Sequence, residues 1–149
     1  MRTNPFQKFL SSEDVEHIKV VNFFKEKLPD VIVFHVPNES KKSAFERYKH
    51  SIMGALKGIP DFVILHPKFE IKNKKRNLIY HGLLIEIKAP EHNYIVKKGK
   101  DAGKIKKTKG VLSEEQEKVI EKLNKNNYKA CAVWGADEAI KIIKEYLEI

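Results

Sequence analysis

The period of apolar residues changes several times along this chain, and the changes mark out its elements. Between Ser11 and Pro29, Val20, Val21, Phe24 and Leu28 recur at helical spacing. Ser11 or Ser12 can cap that helix, and Glu13 and Asp14 favour its positive end. Residues 31–36 (VIVFHV), 62–65 (FVIL) and 83–87 (LLIEI) are short runs of β-branched or large apolar residues bounded by Gly or Pro, so each reads as a strand. Ser113 opens a second helix, with Gln116 completing a capping box and Val119, Ile120 and Leu123 on one face. Residues 129–134 (KACAVW) form a fourth strand, and Gly135 leads into an amphipathic helix bearing Ala139, Ile143 and Leu147. The order helix, three strands, helix, strand, helix predicts an α/β fold with a mixed central sheet flanked by helices. Residues 1–10 read as a loose tail and residues 11–149 as one domain.

Three stretches carry no such period. Residues 39–58 are polar and basic, with Lys41, Lys42, Arg47 and Lys49 interleaved with Phe45 and Tyr48. That mixture suits contact with nucleic acid, cations on phosphates and rings on bases; it equally suits a solvated connection whose rings dock on the core. Residues 67–77 (PKFEIKNKKRN) are expected to form a hairpin or a loop. Residues 91–110 set seven lysines (Lys97, Lys98, Lys100, Lys104, Lys106, Lys107 and Lys109) against two acids, with three glycines. So little apolar surface predicts a mobile, phosphate-gripping flap, with a plain solvated loop as the alternative.

Charge and composition narrow the class. The net charge of +9 favours an anionic partner, nucleic acid first. No apolar run approaches the ~20 residues that span a bilayer, and the first residues lack the apolar core of a signal peptide, so a cytoplasmic location without membrane is expected. One cysteine, Cys131, excludes an internal disulfide and a zinc knuckle. The six histidines show no close metal-ligand spacing, and Walker-type loops and G-x-S-x-G elbows are missing.

The chemistry concentrates between Gly58 and Lys88. Asp61 follows a Gly-Ile-Pro turn, and Glu86 and Lys88, two apart at the end of a strand, point the same way. If the strands at 62–65 and 83–87 are neighbours, Asp61 and Glu86 converge with Lys88 beside them. Two carboxylates and an ammonium can hold a hard divalent cation and neutralise a phosphate under attack. The alternative is a plain Glu86–Lys88 ion pair, which so apolar a strand makes costly.

Pro60-Asp61 followed by Glu86-Ile87-Lys88 resembles the PD-(D/E)xK nuclease signature. The wider text is similar to its virus-type replication-repair (VRR-NUC) branch: Glu16 in a first helix, HVPNE (His35 to Glu39), GIPDF (Gly58 to Phe62), IEIK (Ile85 to Lys88) and LSEEQ (Leu112 to Gln116). The resemblance implies a restriction-endonuclease-like sandwich and a Mg²⁺- or Mn²⁺-dependent endonuclease. Its metal ligands would be Glu16, Asp61, Glu86 and the Ile87 carbonyl, with Lys88 and Gln116 assisting at the phosphate. From the residues alone Glu16 reads as a solvated helix carboxylate, which the resemblance turns into a metal ligand, and Gln116 is fully explained as a cap, though it shares a face with Val119, Ile120 and Leu123. The resemblance further implies branched DNA, such as Holliday junctions or flaps, as substrate, a phage setting and a homodimer. A non-catalytic nucleic-acid-binding module that keeps the fold is the competing reading.

Overall fold

The computed structural model describes residues 7–37 and 43–149 and divides them between two compact units. Asn38, Glu39, Lys41 and Lys42, which the sequence singles out, lie outside the described residues.

One unit holds residues 30–86 and 112–132. Its strands are β1 (Val33–His35), β2 (Phe62–Ile64), the hairpin β3 (Lys68–Lys72) and β4 (Lys75–Tyr80), and the start of β5 (Leu83–Lys88). Two further strands, β6 (His92–Ile95) and β7 (Ile105–Thr108), belong to the other unit. The start of β8 (Lys129–Trp134) completes a mixed four-stranded sheet in the order β1-β2-β5-β8. The pairs β1–β2 and β2–β5 are antiparallel, with Phe62 opposite both His35 and Ile85. Phe62, Ile64, Leu83, Leu84, Ile85 and Ala130 are buried. β5 is buried at every position, as its unbroken apolar text requires of an inner strand. β1 is an edge strand and leaves Phe34 half exposed.

This unit also contains α2 (Ala44–Ile52), a helix within the stretch whose composition suits a polar connection. Ser43 and Glu46 close its capping box, and Phe45, Tyr48 and Ile52 recur at helical spacing, yet none of its residues is buried. Its rings do not dock on a core: Phe45 and Tyr48 are both exposed. α3 (Glu114–Lys125) starts at the expected Ser113 cap.

The other unit holds the described residues up to Pro29, residues 87–111 and residues 133–149. In it α1 (Ser12–Lys27) packs on α4 (Ala136–Leu147). Val20 and Phe24 of α1, Ala139, Ile143 and Tyr146 of α4, and Ile87 and Val133 are buried. The basic stretch expected to be irregular pairs instead as the antiparallel ribbon β6–β7, from His92 opposite Thr108 to Ile95 opposite Ile105. Backbone pairing requires no apolar burial, which is why composition alone misses it. No helix among the described residues is long and apolar enough to cross a membrane.

A glycine fixes the turn ahead of Asp61. Gly58 has φ +77, and a Cβ there would lie 2.6 Å from the carbonyl carbon and oxygen of Glu115 and 2.8 Å from the Gln116 nitrogen. The GIPD turn therefore rests directly on the first turn of α3. We expect Gly58→Ala to lower the urea midpoint by the equivalent of more than about 1 kcal/mol, from left-handed strain plus backbone overlap; an unchanged midpoint would show that the turn does not rest there.

Candidate active site

In the first unit the β2–β5 register brings the predicted carboxylates together. Phe62 faces Ile85, so the next pair outward is Asp61 and Glu86. The Val36 N–H donates to the Asp61 carbonyl at 2.7 Å, which shows that the extended backbone continues through Asp61. Directly opposed residues on antiparallel strands share a face, with Cβ atoms about 5 Å apart. Asp61 and Glu86 are only 5% and 1% exposed. Two carboxylates so close and so dry repel each other unless positive charge lies between them.

Gln116 joins this pair from α3. Its Oε1 accepts from the Ser113 N–H at 2.9 Å, and its own N–H donates to the Ser113 hydroxyl at 3.2 Å, closing the capping box. Its Nε2 donates to Glu86 Oε1. Cap and site role are thus performed by one side chain: the cap fixes the Gln116 rotamer, and the amide tip then orients Glu86. His35, on β1, stacks at 5.5 Å on Phe62, next to Asp61 in sequence.

The second unit contains the other predicted residues. Lys88, two residues after Glu86 on β5, is 9% exposed, and its Nζ lies 4.0 Å from Glu13 Oε1. Glu13 Oε2 also accepts from the Ala89 N–H at 3.4 Å. Sequence reading placed the helix α1 contribution at Glu16; the residue beside Lys88 is Glu13, disguised as an ordinary first-turn acid. One turn further on, His17 Nε2 lies 3.4 Å from the Ile87 carbonyl. Gly110 covers Lys88: its N–H donates to the Ala89 carbonyl at 2.9 Å, and a Cβ there would meet the Lys88 Cβ at 2.8 Å. The Trp134 indole N–H holds the Gly110 carbonyl at 2.7 Å, with Lys109 stacked 4.3 Å from the ring.

Glu16 is engaged elsewhere. Its Oε2 accepts from the Ala136 N–H at 2.7 Å, at the start of α4, where Gly135 offers no side chain to cap the helix. Its Oε1 takes Lys19 Nζ at 2.7 Å. Burial alone would raise the Glu16 carboxyl, but the Lys19 hydrogen bond, the Ala136 N–H and the Lys19 charge outweigh it and hold the group below its usual value. Among the described residues no three His, Cys, Asp or Glu side chains gather into a group that could hold a metal ion. The donors that do stand together, Asp61 and Glu86, are hard oxygens. They fit a divalent cation of the Mg²⁺ or Mn²⁺ type and do not suit zinc.

The predicted phosphate-gripping lysines are unevenly available. Asp101 takes Lys104 at 2.7 Å and also Lys106, and Glu91 takes Lys107 at 3.1 Å. The hydrogen bonds from Lys104 and then Lys106 hold the Asp101 carboxyl below its usual value. Lys97, Lys98 and Lys100 are exposed at the end of this ribbon, and Arg47 is exposed on α2.

A family model described as the VRR-NUC domain matches residues 6–137. A solved structure described as a VRR_NUC domain protein is similar at 26% identity and a TM-score of 0.65, over 93% of this chain and 90% of that one. No curated protein matches the chain.

Because the folded pKa of Glu16 lies below its unfolded one, its contribution is complete above the ordinary value of 4.5 and disappears as pH falls through the folded value. We expect Glu16→Gln to cost about 1 kcal/mol at neutral pH and to converge with wild type in acid. Urea unfolding across pH checks this; a cost that stays constant into acid would contradict the charged cap.

Proposed function

Since the chain belongs to the VRR-NUC family, whose members are of nuclease type, we propose that it is a divalent-metal-dependent endodeoxyribonuclease acting on branched DNA. The observation that carries this reading is the opposed, buried pair Asp61 and Glu86, with Gln116 fixing the second.

In this reading Asp61 and Glu86 hold Mg²⁺ or Mn²⁺, with the Ile87 carbonyl as the next oxygen along the strand. A cation so held supplies Lewis-acid activation of water and offsets charge on the scissile phosphate. Gln116 keeps Glu86 Oε1 occupied and so fixes how that carboxylate presents its other edge. Lys88 supplies an ammonium to the phosphate oxygens, and Glu13 holds it at the end of β5 until substrate arrives. We carry Glu16 as the cap of α4 rather than as a ligand. The exposed cations Lys97, Lys98 and Lys100 contact phosphates, with Arg47, Lys104, Lys106, Lys107 and Lys109 following once their present contacts open; Lys41 and Lys42 carry the same role from the sequence alone. A homodimer would set two such sites for paired cuts in a four-way junction, in phage recombination or repair. A binding module without activity would have no use for two buried carboxylates face to face.

The test is cleavage of duplex, flap and four-way substrates with Mg²⁺ or Mn²⁺. Asp61→Ala and Glu86→Ala should each lower cutting by at least about 10³-fold while DNA binding persists. Undiminished cutting by pure Asp61→Ala protein would remove the site.

A further inference from the structure

The β3–β4 hairpin carries a concentration of positive charge. Between Lys68 and Tyr80 it sets Lys68, Lys72, Lys74, Lys75 and Arg76 against the single acid Glu70. Its register places Lys72 directly opposite Lys75 and Ile71 opposite Arg76. Like charges facing each other across a ribbon destabilise it. Between them stands the two-residue turn Asn73-Lys74, both residues with positive φ (52 and 60). Glycine is the residue usually found at the second position of such a turn, so a lysine there accepts strain and places a third cation at the tip.

The two basic ribbons of this chain differ in one respect. In and beside β6–β7, Lys104 and Lys106 share Asp101, and Lys107 pairs with Glu91. Among the described residues, Lys72, Lys74 and Lys75 are in no ion pair. Further down the ribbon, the Arg76 guanidinium lies 3.7 Å from the centre of the Phe69 ring, which stiffens the base of the tip. Ile71, 84% exposed, is on the same face as Arg76, while Lys72 and Lys75 share the opposite face.

We infer that the β3–β4 hairpin is a second nucleic-acid contact, a two-stranded wing whose Lys72, Lys74 and Lys75 bind backbone phosphates of duplex DNA. The inference rests on the reading of this protein as one that acts on DNA. A phosphate between Lys72 and Lys75 turns their mutual repulsion into attraction, which accounts for a tip that is otherwise destabilising. A two-stranded ribbon also has the width that a DNA major groove admits, with Ile71 free to meet sugar or base surface. An anionic lipid surface would meet the same cations, but a membrane-binding tip calls for several large apolar residues where this one has Ile71 alone.

The experiment is equilibrium binding of the full chain to short duplex DNA in EDTA, where no cutting occurs, across about 50 to 200 mM salt. Wild type is compared with Lys72→Gln/Lys74→Gln/Lys75→Gln and with Lys118→Gln/Lys125→Gln/Lys141→Gln, an equal charge change at lysines each placed beside a glutamate. The hairpin variant should bind at least about ten-fold more weakly, with a salt slope smaller by about 2–3, at an unchanged melting temperature. The control triple should change little. Equal losses in both triples, or none in the hairpin triple, overturn the wing and leave the nuclease reading standing. Wild type that fails to bind DNA at all overturns that reading itself. Loss of binding to phosphatidylserine vesicles with DNA affinity intact would overturn the wing in favour of a membrane contact.

Discussion

Two negative charges that must be neighbours set the terms for this protein. Continued by one residue, the register of β2 and β5 sets Asp61 opposite Glu86, and that register is fixed by buried residues on the other face. Slipping it by one residue would turn Phe62, Ile64 and Ile85 out of the core along with the carboxylates. The apolar pattern therefore enforces an electrostatic arrangement that is unfavourable on its own. A shared cation, as proposed above, would resolve it.

The surroundings of the pair follow from this constraint. Gly58 lets the turn before Asp61 lie against the backbone of Glu115 and Gln116, so one contact positions both the aspartate and the amide that orients Glu86. In the second unit, Glu13 and Glu16, three residues apart and so neighbours on one helix, share the work differently. Glu13 meets Lys88 and the Ala89 N–H, while Glu16 caps α4 in place of the side chain that Gly135 lacks. A single turn of α1 thus provides one carboxylate for the end of β5 and one for a helix start.

Much of this was legible in the residues. The strands bearing Asp61 and Glu86 announced themselves as apolar runs between Gly and Pro, and S-E-E-Q gave the start of α3. What stayed hidden had specific causes. α2 has the Ser43–Glu46 capping box and a Phe45–Tyr48–Ile52 stripe, but the cations interleaved with those rings read equally as a basic connection. β6 and β7 pair without burying an apolar face. The turn joining β3 to β4 uses lysine where glycine is the readable signal. Glu13 and Glu16 are equivalent as text, two acids near a helix start, and only the packing of α1 distinguishes them.

Metal-dependent melting tests, without any substrate, whether Asp61 and Glu86 share a cation. Ligand bound to the folded state alone raises the melting temperature with its concentration. Wild type should therefore rise steadily with Mn²⁺, whereas Asp61→Asn, relieved of the charge repulsion, should melt at or above the metal-free wild type and respond little to the ion. An equal Mn²⁺ response in the two proteins would contradict the shared site.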